Sequence, residues 1–408
     1  MTTSENLNSL YKILLLQIVL LLAAPVYSKS VIPFSRDRAS SVAVVVRDLR
    51  TGRDLVSQNP RKAMLPASTM KCVTSAAAIV AGLDTARFRT DVYLCGPVDN
   101  GVLNGNLIVM GAGDPTIESG QFPGNSGFPA KIAAAVRDAG IRRIRGEITV
   151  DQSGFPDNGP CDRWELSDVR YDYGAGLYGM NFRDNRHGDK AVESPAEAFG
   201  EALENSLLAE GIAVDWDETD ISGETPRLLL FHESPRGDEI LRNLMCRSDN
   251  LFAEGILRQL APGQSRKAAI SRERSLLAAK GIDFDITDIY DGSGLSRNNR
   301  VTAQFMADLL EKMAPVRGAA ASYVSLFPKV GREGTVRNLF KKHPLTGRLA
   351  LKSGSMNGVH CYAGYKLDAE GNPTHAVVIL VNDFFCKRDE VRNSISRFLE
   401  SQFKNDDN

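Results

Sequence analysis

The chain has 408 residues, 49 Lys+Arg against 50 Asp+Glu for a formal net charge of −1, with 43% hydrophobic and 24% charged residues. That is the make-up of an ordinary globular protein, which excludes a disordered or collagen-like chain, and no long apolar spans indicate a multi-pass membrane protein. The charge balance gives no global reason to expect nucleic-acid binding, and the length suits two or three domains with a sizeable core.

Ile13 to Ala24 (ILLLQIVLLLAA) is an apolar run preceded by Lys12 and followed by Pro25-Val26-Tyr27-Ser28. It reads as the core of an export signal, residues 1–28, with a cleavage point after Ser28. The alternative is an uncleaved anchor, but the run is shorter than the roughly 20 residues a spanning helix needs. Cleavage removes one Glu and one Lys, so the net charge of the mature chain is unchanged. The expected location is outside the cytoplasm, periplasmic or cell-wall associated. Cys72, Cys95, Cys161, Cys246, Cys361 and Cys386 are compatible with disulfides in an exported protein, and their pairing is open. No CxxC pair and no HExxH spacing occurs, so neither a metal nor another cofactor is expected.

Ala39–Leu49 reads as a buried strand ending in a turn at Thr51-Gly52. Ser68–Leu83 is Ala-rich with no internal Pro or Gly before Gly82 and reads as a buried helix. From about Thr90, short apolar runs such as Leu107–Met110 and Ile148–Val150 alternate with Gly, Asn and Pro turns. Helices are expected at Pro129–Ala139 and Pro195–Glu210, separated by a Gly-, Asp- and Tyr-rich stretch. This region, 90–225, reads as an inserted α+β module between two catalytic segments, 29–89 and 226–408. Beyond it, helices are expected at Glu239–Met245, Leu251–Leu260 and Val301–Lys312. Strands follow at Gly347–Ser353, Val359–Lys366 and His375–Val381, the last two joined by a hairpin at Asp368–Pro373. A helix from about Lys387 to Phe403 closes the chain. Its apolar face, Val391, Ile395, Phe398, Leu399 and Phe403, suits packing on the sheet, with a membrane-surface role as the alternative.

Three short motifs carry chemistry. In Ser68-Thr-Met-Lys71, residues three apart point the same way on a helix, placing a hydroxyl within reach of an amine. Burial or a neighbouring positive charge disfavours the ammonium form and lets Lys71 act as the base that a serine nucleophile needs. Alone the motif is weak: Ser401-Gln-Phe-Lys404 also fits, and Ser68 could simply cap the helix. Ser248-Asp249-Asn250 lies between two helices, where a hydroxyl can relay a proton and an amide can hold a carbonyl. Ser57–Asn59 and Ser296–Asn298 fit the same pattern, and an ordinary turn or cap is the alternative. Lys352-Ser353-Gly354-Ser355 ends a strand, with Lys352 on the face opposite Leu349 and Leu351. Its ammonium is expected to bias Lys71 towards neutrality, its serines to hold a carboxylate, and Gly354 to admit the substrate backbone closely. The alternative is a solvated lysine at a strand end.

The three in this order, on helix, loop and strand, resemble the signature of active-site serine penicillin-binding proteins and class A β-lactamases. The chain further resembles the D-alanyl-D-alanine carboxypeptidase/endopeptidase family, the class C low-molecular-mass penicillin-binding proteins of the penicillin-binding protein 4 type. The resemblance is carried by LPASTMK at 65–71, GAGDPTI at 111–117, IRGEITVD at 144–151, HESPRGDEILRNLMCRSDNLFAE at 232–254, DGSGLSRNNRVT at 291–302, GREGTVRNLF at 331–340 and KSGSMNGVHCYAGY at 352–365. The 180 residues between Ser68 and Ser248 leave room for the inserted module and exceed the spacing of β-lactamases, but are fewer than in the longest members.

The resemblance implies an α+β fold in which an antiparallel sheet flanked by helices carries the site. It implies that Ser68 attacks the carbonyl of the penultimate D-Ala and that Lys71 accepts its proton. The N–H groups of Ser68 and Ser355 form the oxyanion hole, Ser248 relays a proton to the leaving amine, and Asn250 orients the peptide. Lys352, Ser353 and Ser355 bind the terminal carboxylate or polarise the site, and the substrate adds a strand beside Lys352. Peptidoglycan stem peptides are the implied substrate and β-lactams covalent inhibitors; peripheral membrane and homo-oligomer contacts stay open. Asp168 matches an acid that the family can use to hold a diamino-acid amine, with a turn role as the alternative. Two departures stand out. Ser353 replaces the usual Thr, and Cys72, Cys246 and Cys361 lie beside the three motifs, either braced by a disulfide or simply small buried residues. In 291–297 the glycines are read as loop geometry, with no catalytic role for Ser293. A β-lactamase or esterase on the same scaffold, and a silent wall-binding module, are the competing readings.

Overall fold

The computed structural model describes residue 32 and residues 40–216, 221 and 223–403. The apolar run 13–24, the expected cleavage point and Lys404 of the second Ser-x-x-Lys match lie outside the described residues.

Ser41–Asp48 is apolar almost throughout because both of its faces are covered. It is the fourth strand of a five-stranded antiparallel sheet, in the order Leu349–Met356, Val359–Leu367, Pro373–Asn382, Ser41–Asp48, Asp54–Gln58. Its register with Pro373–Asn382 runs from Ser41↔Asn382 to Asp48↔His375 without a slip. Alternation along the strands sorts the side chains. Ala43, Val45, Ala350, Ala363, Val378 and Leu380 join one core with residues of the helices Lys71–Val80, Gly237–Arg247, Asn250–Gln259 and Ala303–Met313. Val42, Val44, Leu349, Leu351, Val377 and Ile379 join a second core under the helix Arg388–Phe403. That helix buries all five residues of the expected stripe, each stabilising by about 1.5–3 kcal/mol, so its apolar face is spent on the sheet. Among the described residues no helix is long and apolar enough to cross a membrane.

The alternation also decides where Lys352 goes. It pairs with Ala363 and shares the face of Ala350, the one covered by helices, so it is fully buried rather than solvated.

The helix expected at Ser68–Leu83 is broken at its start. Ala67–Met70 is a 3-10 turn, and the α-helix proper runs Lys71–Val80. Ala67 sits at φ +45°, and a Cβ on Gly294 would lie 2.0 Å from the Ala67 carbonyl oxygen, so the turn is shaped by the loop pressed against it. One helix escaped the sequence reading, Arg266–Ala278. Ser265 caps it by accepting from the Ala268 N–H, but its buried residues include Arg266 and Glu273 beside Ala269 and Leu277, so its apolar period is masked.

Residues 89–233 build two four-stranded sheets and the helices Phe128–Asp138 and Pro195–Ala209 around a core of their own. The strand Arg227–Glu233 lies past the boundary expected at 225, yet pairs antiparallel with Arg89–Cys95. The chain therefore enters and leaves this segment on adjacent strands. Its turn Asp172–Gly174 packs on the helix Asn250–Gln259.

Candidate active site

Ser68 is no helix cap. The 3-10 turn begins after Pro66 without a side-chain cap, and the hydroxyl of Ser68 instead accepts from Lys71 Nζ at 3.2 Å. Lys71 Nζ also donates to Asn250 Oδ1 and to the Ser293 carbonyl, both at 2.6 Å. An unprotonated amine has two N–H bonds and one lone pair. The ammonium form donates to all three; in the neutral amine the two N–H bonds suit the two closer acceptors, and the lone pair can then accept from the Ser68 hydroxyl, which is the geometry a base requires.

The Ser248-Asp249-Asn250 connection divides its labour. Asp249 does what any cap does, accepting from the Phe252 N–H at 3.1 Å. Ser248 takes a left-handed backbone at φ +65°, ending the helix Gly237–Arg247. Its hydroxyl accepts from Lys352 Nζ at 2.8 Å, while Asn250 reaches Lys71 and donates to the Tyr173 carbonyl at 2.7 Å.

On the strand Leu349–Met356, Lys352 Nζ has a second acceptor in the Ser353 carbonyl at 2.7 Å. A Cβ on Gly354 would come within 2.9 Å of the Ser68 nitrogen and 2.7 Å of the Pro66 carbonyl oxygen. Only a glycine lets the strand lie this close to the serine turn. Ser353 and Thr335 share a hydrogen bond at 2.7 Å, and Ser355 pairs with His360 Nδ1 at 2.7 Å. Ser355 is exposed and Ser353 and Ser68 half-buried, so hydroxyls line an opening whose floor is two buried amines.

Burial is the main cause of both lysine shifts. It lowers Lys71 to about 8, against the opposing pull of Asp291, Asp249 and Glu254. It lowers Lys352 well below the ordinary lysine range, and the charge of Lys71 lowers it further. The charge effect between the two falls on Lys352, where the sequence predicts it on Lys71, and desolvation is the larger cause for each. The cysteines beside the motifs form no disulfide. Cys72 and Cys361 are buried thiols pushed up to about 12, and Cys246 is half-buried.

Asp168 stands one step from this network. Its carboxylate accepts from the Tyr173 hydroxyl at 3.0 Å, its backbone takes part in a turn, and Tyr173 in turn touches Asn250 through its carbonyl. Ser293 enters through its carbonyl; its hydroxyl accepts from the Leu295 N–H instead. Several partners lie outside the three short motifs: the Tyr173 carbonyl, and Thr335, His360 and the buried Asp291, which fall within the segments that carry the resemblance but were given no role there. The Asp291 carboxylate gathers the Trp164 indole N–H at 2.7 Å, the Gly294 and Ser296 N–H groups and the Asn299 amide. Only the repeated glycines of 291–294 hinted that this loop is held close.

A model of the D-Ala-D-Ala carboxypeptidase 3 (S13) family matches residues 36–188 and 183–402. D-alanyl-D-alanine carboxypeptidase DacB of Haemophilus influenzae is 24% identical over 420 residues, covering 85% of this chain and 86% of the relative. Carboxypeptidase DacB of Mycolicibacterium smegmatis is 29% identical over 345 residues, 80% of this chain and 73% of the relative. The fold matches the crystal structure of penicillin binding protein 4 (dacB) from H. influenzae with a TM-score of 0.78 at 22% identity, over 90% of this chain and 97% of that one.

Proposed function

The chain belongs to the D-Ala-D-Ala carboxypeptidase 3 (S13) family and is a serine-type D-Ala-D-Ala carboxypeptidase, and from that premise we propose that Ser68 is its nucleophile and Lys71 the base. The observation that carries the assignment is the pairing of a 3.2 Å Ser68–Lys71 contact with two shorter bonds that occupy the amine's hydrogens. Ser68 Oγ attacks the carbonyl carbon of the penultimate D-Ala as its proton passes to Lys71. The peptide C–N bond breaks, the leaving amine takes a proton through Ser248, and water releases the acyl group. The N–H groups of Ser68 and Ser355 would receive the oxyanion. Lys352, Ser353 and Ser355 would receive the terminal carboxylate, and the peptide would lie along the edge strand Leu349–Met356. A carboxylate arriving there would lie against Lys352 Nζ, and its negative charge would favour the ammonium form that burial disfavours.

The substrates are peptidoglycan stem peptides, and the same step cleaves a D-Ala–diamino-acid cross-link when the leaving side is larger. Asp168, held by the Tyr173 hydroxyl at 3.0 Å, is the group we assign to a diamino-acid amine. We assign the inserted module, expected at 90–225, to residues 89–233, because its last strand Arg227–Glu233 pairs with Arg89–Cys95, and the run 13–24 to export to the cell wall compartment. The test is covalent labelling by a fluorescent penicillin together with mass analysis of digested sacculi. Ser68→Ala should abolish both labelling and D-Ala release, and labelling that survives refutes the nucleophile. Rapid β-lactam turnover without D-Ala release would point to a β-lactamase instead, and muropeptide binding without acylation to a silent wall-binding module.

A further inference from the structure

Lys71 has an unusual acceptor. Its shortest bonds go to the Asn250 side chain and to a backbone carbonyl, that of Ser293, in the loop following Asp291. A loop carbonyl can aim a base only if the loop itself is held. The Gly292-Ser293 segment is held from two sides. Thr74, one turn beyond Lys71 on its helix, donates to the Gly292 carbonyl at 2.9 Å. From the other side a single oxygen, Glu254 Oε1, accepts both the Gly292 N–H at 3.0 Å and the Ser293 N–H at 2.9 Å. Glu254 lies four residues after Asn250, on the same face of the helix Asn250–Gln259. One helix face therefore supplies both acceptors of the Lys71 amine, the first directly and the second through the loop.

Glu254 is 1% exposed, and its second oxygen faces Arg266 Nε at 3.8 Å. A buried carboxylate whose second oxygen has only a long ion pair is costly. A Gln would satisfy the same two N–H groups without a charge. We propose that Glu254 is a positioning residue of the serine–lysine reaction, setting the Ser293 carbonyl that aims the Lys71 lone pair at Ser68.

This inference rests on the Ser68–Lys71 reading above. The charged and titratable groups facing Glu254 are Lys71 from its helix, Arg266 and Glu273 from Arg266–Ala278, Asp291 from the loop, Cys161, and Arg258 on its own helix. Burial raises Glu254 itself to about 7, and its charge, when present, favours the ammonium form of Lys71. The two effects of Glu254, holding the loop and favouring the cation, are separable by substitution.

The test is the second-order rate constant of acylation by a fluorescent penicillin, measured per acylable site from pH 5 to 10 (~5 units around the lysine transition). Glu254→Ala leaves two buried N–H groups unpaired and should slow acylation about 10-fold or more at every pH, since small misplacements near a reacting pair are this costly. Glu254→Gln should stay within about 3-fold of wild type at the alkaline plateau, with its acid limb moved to lower pH. If Glu254→Ala does not fold, Glu254→Asp takes its place, keeping the charge but withdrawing the oxygen, with the same expected loss. Wild-type rate constants in the Ala or Asp variant overturn the proposal. So does Glu254→Gln falling as far as Glu254→Ala, or a loss confined to the labelled fraction at an unchanged rate constant. A wild-type protein that does not label, or a Ser68→Ala protein that does, indicts the nucleophile assignment instead.

Discussion

Gly354→Ala tests the closest approach in the site. The added Cβ would stand 2.7 Å from the Pro66 carbonyl oxygen, 2.9 Å from the Ser68 nitrogen and 3.0 Å from the Thr69 nitrogen, where ordinary contact begins at 3.4 Å. All three are backbone atoms, so no side chain can rotate away. The strand and the serine turn must separate by about 0.7 Å, or the equivalent in tilt. Two consequences follow from that one displacement. Overpacking costs about 1–3 kcal/mol of stability. Ser68 moves relative to the edge strand on which the substrate would lie, and a 1 Å misplacement is worth about 10²-fold in rate, so acylation by a fluorescent penicillin should fall about 10–100-fold. Gly200→Ala is the control. Gly200 lies in the middle of the helix Pro195–Ala209 with nothing within 4 Å of its would-be Cβ, so it should gain about 0.5–1 kcal/mol and acylate normally. A Gly354→Ala protein that labels at the wild-type rate would refute the idea that this contact sets the geometry.

Acylation should rise as pH climbs through about 8, because only the neutral form of Lys71 accepts a proton and burial places its transition there; an acid limb near 10.5 in the rate profile would contradict this. Lys71→Ala should still fold but acylate ~10²–10⁴-fold more slowly, measured by the same label. Trp164→Phe removes one of four donors to the buried Asp291 carboxylate and should cost about 1.5–3 kcal/mol, read from the urea midpoint. Glu273 is fully buried with its pKa raised from 4.5 to about 8. Between those values the folded protein binds the extra proton, so its contribution makes stability fall as pH rises across that window. Glu273→Gln should flatten the fall, and an unchanged pH dependence of urea unfolding would exclude this site as its source.

What could be read from the sequence was whatever is local or periodic. The strand Ser41–Asp48, the Ala-rich helix and the closing helix declare themselves through runs and repeats of apolar residues. The three short motifs do so through their spacings. Lys352 was legible in direction but not in burial, because alternation tells which face a residue takes and not what covers that face. Arg266–Ala278 was hidden because it buries an arginine and a glutamate where a stripe of apolar residues is expected. The Ser293 carbonyl, the Tyr173 carbonyl and Glu254 were illegible for a different reason. Main-chain groups are the same in every residue, and Glu254, though it ends a segment that carries the resemblance, shows no role until the loop it holds is seen.

The segment 89–233 and the rest of the chain are joined at residues around Lys71 and not merely at their edges. Gln121 donates to Asp249 at 2.7 Å, Asn250 donates to the Tyr173 carbonyl at 2.7 Å, and Trp164 donates to Asp291 at 2.7 Å. Each of these contacts ends on a residue that either bonds Lys71 or favours its charged form. A base near 8 needs burial strong enough to favour the amine and acids near enough to keep the shift moderate. Asp249 and Asp291 are the acids, and the segment supplies hydrogen bonds that hold both. A wall-binding attachment would need none of these bonds. If Lys71 is the base, as we propose, their convergence on one amine makes the segment part of what tunes it.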